Sequence, residues 1–289
     1  MLRAIARGIT GPFVEHLVVG TTGSWGDIPT PSDDPHVHAM GPDPDRILLL
    51  GGAVVAGAGV TSHEIGIGGF LARQLSALTG RGVDLDLHGV PGLTAAHAAQ
   101  LIDSAELARF DAVVIMLGMH EAMSLAAPPG LERDIRALLD RVRGAAPFTT
   151  VFVVGVAQLS KLVPLPRIIG PVVSRQITTL NAITQRVCRE RGARFIPFVT
   201  DARSNPHHFV DATTYAVWAE PIARQMASAL DEAVTVVEWG EGLAEGLSES
   251  RLEVNLVRDD ADEGEGDNRR VEITPVGPRW HAFSFRGLG

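Results

Sequence analysis

The spacing of apolar positions changes twice along this chain. Residues 1–19 place Leu2, Ile5, Ile9, Phe13 and Leu17 at helical spacing. The basic face of that stretch is thin, so it reads as a short helix packed on the domain or on a second subunit, in preference to a helix lying on a membrane surface. Residues 20–45 are rich in Gly, Pro, Asp and His and carry no period, which predicts an irregular connector. From residue 46 short apolar runs alternate with longer amphipathic stretches. Strands are predicted at Arg46–Leu50, Val83–Leu87, Ala112–Leu117, Thr150–Val156 and Arg194–Pro197. Helices are predicted at Thr61–Leu78, with Thr61 and Glu64 in capping-box positions, at Thr94–Ile102, capped by Thr94, and at Leu131–Val142, Val172–Glu190 and Thr213–Ala229. Five strands alternating with helices imply an α/β fold built on a doubly wound parallel five-stranded sheet.

The texture changes again after residue 231. Arg251–Val257 and Arg270–Thr274 alternate polar and apolar residues, Trp280–Phe285 is also strand-like, and the acidic segment Asp259–Asn268 lies between the first two. This predicts a small antiparallel β extension with a solvated acidic loop. The spacing of that loop does not match an EF-hand. Three regions follow: 1–45 as N-terminal helix and connector, 46–230 as the α/β domain, and 231–289 as the C-terminal extension.

Composition narrows the function classes. In 289 residues, 45% are apolar and 20% charged, ordinary for a globular protein. A net charge of −9 argues against nucleic acid as a partner. The lone cysteine, Cys188, excludes an internal disulfide framework and any multi-cysteine zinc site, and its helical surroundings read as a buried inert thiol. No apolar stretch approaches the ~20 residues needed to span a bilayer. Gly8, Gly11, Pro12, Glu15 and His16 interrupt the N-terminal apolar positions, so no signal peptide is read and a cytoplasmic location is expected.

Four blocks carry the candidate chemistry. The apolar run Ile47–Leu50 delivers the glycine-rich turn Gly51-Gly52-Ala53, the second block is Gly89-Val90-Pro91-Gly92, the third is Gly118-Met119-His120-Glu121, and the last precedes the helix Tyr215-Ala216-Val217-Trp218-Ala219. In this order, over roughly residues 45–230, the chain resembles the SGNH, or GDSL, hydrolase family of esterases and lipases. The resemblance implies a flavodoxin-like three-layer fold and a serine-based ester hydrolase. It also shows where this chain departs. The family's Gly-Asp-Ser is Gly51-Gly52-Ala53, and the asparagine of its Gly-x-Asn-Asp is His120. Counting back from Tyr215, its last-block histidine falls at Phe209 or a neighbour. Gly92 keeps the slot whose amide helps hold an oxyanion, and His120 can donate a ring N–H as an asparagine would. The resemblance therefore implies a degenerate site that binds a small acyl or sugar ligand or a protein partner. The alternatives are an active esterase or acyltransferase with relocated groups, with His207, His208 and Asp211 as the displaced acid–base candidates and His120 and Glu121 beside them, and a structural protein that assembles through residues 1–19 or 231–289.

Other clusters have plainer readings. Ser62-His63-Glu64 reads as a helix start, since adjacent helical residues do not face one another. His36 and His38, after Asp33-Asp34, read as a polar loop, because no third metal ligand has an obvious spacing. The glycines from Gly51 to Gly59 fit neither the phosphate-loop nor the dinucleotide pattern. Neither a cofactor nor a metal is expected.

Overall fold

The computed structural model describes residues 28–102, 104–158, 169–198, 210–230, 250–258 and 269–277. The helix expected at 1–19, the acidic loop, the strand expected at Trp280–Phe285, and His207 and His208 lie outside them. The chain divides into two compact units, 1–233 and 234–289.

In the first unit six strands form one sheet. They are β1 (His36–Ala39), β2 (Asp45–Gly51), β3 (Val83–Gly89), β4 (Ala112–Met116), β5 (Thr150–Val154) and β6 (Arg194–Ile196), in the order β1-β3-β2-β4-β5-β6. The five expected strands, β2 to β6, run parallel, as the alternation with helices required. β2 shows why: Leu48, Leu49 and Leu50 are buried in succession, so both faces of the strand are covered.

The connector read as irregular contains the sixth strand. β1 pairs antiparallel with β3 at the sheet's edge, and four residues are too few to show a period. Val37 and Ala39 face the core, while His36 and His38 project outward, where their Nδ1 atoms lie 2.6 Å from Asp86 Oδ1 and 2.7 Å from Asp84 Oδ1. The two histidines are thus cross-strand partners of carboxylates, and no loop holds them.

The connections between these strands carry the helices α1 (Ile67–Thr79), α2 (Ala95–Leu101), α3 (Ser104–Leu107), α4 (Met119–Met123), α5 (Pro128–Ala145) and α6 (Ile169–Arg191), and α7 (Ala212–Leu230) follows the last strand. One predicted helix is divided. Instead of a continuous Thr61–Leu78, a 3₁₀ turn at His63–Ile65 precedes α1, because Gly66 is extended. Ser62, not Thr61, is the cap, and its side chain accepts from the Glu64 amide. The Ser62 hydroxyl also donates to Asp33, as does the His63 amide. Burial opposes ionisation of Asp33, yet these two bonds hold its carboxyl below the usual value.

Cys188 is buried on α6, and burial pushes its thiol up to about 12, so it stays protonated and unreactive at neutral pH. Among the described residues no helix is long and apolar enough to cross a membrane.

The second unit contains a two-stranded antiparallel hairpin, β7 (Arg251–Arg258) with β8 (Arg269–Val276). Its register sets Val254 opposite Ile273 and Leu256 opposite Val271, which gathers the apolar residues on one face. Val254, Leu256 and Val271 are more than half exposed.

Candidate functional site

Three turns leave the carboxyl ends of the adjacent strands β3, β2 and β4, the edge at which parallel sheets bind ligands. Register places Gly51 level with Gly89 on one side and Met116 on the other, and the Val90 amide donates to the Gly51 carbonyl at 2.9 Å. The blocks containing Ala53, Gly92 and His120 therefore emerge from neighbouring strands.

The first turn winds tightly at once. The amides of Val55 and Ala56 both donate to the Gly52 carbonyl, and the Ala58 amide donates to the Ala53 carbonyl. Its later glycines serve packing. At Gly59 (φ +95°) an added Cβ would stand 2.2 Å from the Val210 carbonyl oxygen, so a larger residue is excluded. Gly52 differs: an added Cβ would meet nothing within 4 Å. A side chain could begin there without displacing a neighbour, so packing does not require glycine at this position. Ala53 is half-buried and presents only a methyl group at this turn.

Gly92 adopts φ +76° in an exposed loop with open space where a Cβ would stand. It permits the backbone turn and can present its amide to a ligand. In the third block, Gly118 turns the chain at φ +106° into α4. Half-buried His120 and buried Glu121 follow. Glu121 Oε1 accepts the Ala95 amide at 2.9 Å, and Thr94 accepts the His97 amide, so α2 receives two side-chain caps. Glu121 Oε2 is buried without a hydrogen-bond partner among the described residues.

His120 and Glu121 line a cleft of about 270 Å³ with Thr94, Ser124 and Asp134, closed on its apolar side by Leu131. The sequence reading did not anticipate Thr94, Ser124 or Asp134 here. Their gathering depends on the β4–α4 turn meeting the start of α2, and no local motif encodes that meeting. Glu121 was the available signal, because the resemblance sets it opposite the acid of the third block. Glu121→Ala is expected to cost about 1–3 kcal/mol by leaving the buried Ala95 amide unmet, and Glu121→Gln, which keeps an acceptor, should cost less. Thermal unfolding of the two variants measures the difference.

Asp211 caps α7. Its Oδ1 accepts from the Thr214 amide at 2.7 Å and the Thr214 hydroxyl at 2.8 Å. Inside α7, Tyr215 is fully buried and its hydroxyl donates to the Ala58 carbonyl at 2.7 Å, tying this helix to the turn that holds Ala53. Trp218 meets the rings of Phe198 and Tyr215 edge-on. Among the described residues no group of three or more His, Cys, Asp or Glu is arranged to hold a metal ion.

Solved structures share this architecture, among them the following two. The structure of TesA is 17% identical with a TM-score of 0.50, covering 64% of this chain and 99% of its own. That of the psychrotrophic esterase EstA from Pseudoalteromonas sp. is 16% identical, also at 0.50, covering 65% and 100%. At such identities the likeness is one of fold. A curated protein, the tRNA threonylcarbamoyladenosine biosynthesis protein TsaE of Streptomyces coelicolor (strain ATCC BAA-471 / A3(2) / M145), is 46% identical over 54 residues, 18% of this chain. The chain spans about a third (34%) of that protein's length. Residues 49–240, well over half of the sequence, match the GDSL-like Lipase/Acylhydrolase family, and the chain belongs to that family.

Proposed function

We propose that this protein keeps the GDSL hydrolase domain without acyl-serine chemistry, and that its sheet edge binds a small acyl or sugar ligand. The observation that carries this reading is Ala53. An ester hydrolase of this type needs an oxygen nucleophile, a base to take its proton and donors to hold the developing oxyanion. A methyl group cannot attack a carbonyl, and no neighbouring charge can activate it. The Gly92 amide and the His120 ring supply donors, so the capacity to hold an oxygen-bearing group outlasts the capacity to cleave it. The hydroxyls and carboxylates around Glu121 suit a polar, hydrogen-bonding part of such a ligand.

The test is incubation with a serine-directed fluorophosphonate followed by intact mass measurement, together with turnover of short aryl esters. The expected result is no adduct and no turnover above the buffer rate. An adduct on any residue of this cleft would overturn the proposal.

One observation favours a second reading. His120, Glu121, Ser124 and Asp134 share one cleft, which is the raw material for activating water or a substrate hydroxyl. Under that reading, acetyl-ester turnover is measurable and collapses in His120→Ala. Turnover that survives this substitution removes it.

A further inference from the structure

A second cavity, of about 340 Å³, lies beside the turn after β2 and shares no lining residue with the His120 cleft. Leu50 of β2 and Leu87 of β3 contribute apolar wall, and Val90 and Leu101, 44% and 55% exposed, add apolar surface at its margin. Among the described residues the polar side chains lining it are two imidazoles, His63 and His88. Leu50 and His88 are register partners on adjacent strands, so they share one face of the sheet. On that face of β3, Asp86 is already paired with His36 and Arg109, and among the described residues no acidic side chain lines the cavity, the Asp33 carboxylate being taken up by the Ser62 hydroxyl and the His63 amide.

His63 is the unusual member. Its backbone is fixed by the bond from its amide to Asp33, and its side chain is only 7% exposed. Nδ1 is nevertheless buried without a hydrogen-bond partner among the described residues. Nδ1 is inaccessible and lies beside Gly57, outside the cavity lining, so a hydrogen bond from this ring to an occupant of the cavity comes from Nε2. The space is large enough for a small molecule, and its walls are apolar with few convergent polar groups, the usual character of a ligand site. Imidazole N–H groups donate, and they donate more strongly to an anionic oxygen.

We propose that this cavity binds a small monocarboxylate with an apolar body, a short aliphatic or aromatic acid, whose carboxylate takes a hydrogen bond from His63 with His88 as a second donor. The site is independent of any chemistry at the His120 cleft.

The experiment is isothermal titration of the full chain with sodium hexanoate and sodium benzoate, with hexan-1-ol and benzyl alcohol as uncharged counterparts. At least one acid should bind with a Kd below about 10 mM, and its alcohol about tenfold or more weaker. His63→Phe, which removes the ring nitrogens, and Ala56→Leu, which fills the cavity and keeps both histidines, should each weaken the acid about tenfold or more. If His63→Phe does not fold by its thermal melt, Ala56→Leu decides. Failure of both acids to bind, an alcohol as tight as its acid, or unchanged affinity in the deciding variant overturns the proposal. Loss of binding in His120→Ala also overturns it, since the ligand would then sit in the other cleft.

Discussion

Ala53→Ser is expected to leave short aryl-ester turnover within about tenfold of the unsubstituted protein, far below an intact serine hydrolase. Removing one member of a catalytic unit costs on the order of 10⁴–10⁶ in rate, and restoring one member of a unit that lacks others recovers little of it. The substitution itself is easy. Position 53 is half-buried in a turn that begins directly after β2, and a serine adds one oxygen to the methyl already there. The new hydroxyl would lack a base. Counted back from Tyr215 and Trp218, the resemblance implies a histidine slot at Phe209 or a neighbour. The Asp211 cap and the buried Tyr215 pin the start of α7, so the count cannot slide within the helix. Burst kinetics with p-nitrophenyl acetate and a mass shift after fluorophosphonate treatment are the measurements. A burst, or turnover raised about a hundredfold or more, would mean that an imidazole reaches position 53 from His207 or His208.

The sheet was legible because its strands declare themselves. Ile47–Leu50, Val113–Ile115 and Val151–Val154 are unbroken apolar runs, the pattern of strands covered on both faces, and turns or helix caps bound each of them. β1 was not legible. His36–Ala39 has only two inward positions, and its strand character comes from pairing with β3 some fifty residues away. The same distance effect separates the two halves of the site. The blocks at Gly51, Gly92 and Gly118 could be read from sequence because each is a local turn at a strand end, and glycines at φ +76° and +106° explain two of them. What those turns bring together could not be read. Glu121 accepting the Ala95 amide, and the burial of the His63 ring, arise from tertiary packing between segments that carry no shared motif. Ser62-His63-Glu64 illustrates the limit. The helix-start reading set the cap one residue early, at Thr61 where Ser62 caps the 3₁₀ turn, and gave no hint that the neighbouring imidazole lines a cavity.

Tyr215→Ala is expected to cost about 3–5 kcal/mol, the range for emptying a buried aromatic site. For a domain of this size that corresponds to a fall in Tm of roughly 6–20 °C. The ring is fully buried between α7 and the glycine-rich turn, and Trp218 packs against its edge at a centroid distance of 6.1 Å. Tyr215→Phe isolates the hydroxyl. It keeps the ring and removes only the 2.7 Å bond to the Ala58 carbonyl, at about 1–2 kcal/mol, the lower part of the usual range because Ala58 is half-buried and water can replace the donor. The pair of variants therefore separates packing from hydrogen bonding. Alkaline pH gives a third comparison. Burial raises the phenol above its ordinary value of 10, so the folded protein holds this proton where the unfolded chain releases it. The associated stability is complete below about pH 10 and declines as pH rises above it. Tyr215→Phe should lose that component of the alkaline slope while the slope from Cys188, also raised by burial, remains. Denaturant melts at pH 8 to 11 measure it. An unchanged Tm in Tyr215→Ala would mean that α7 does not anchor the turn carrying Ala53. A large loss would show that the Tyr-x-x-Trp block holds the site's scaffold in place whether or not the site performs chemistry.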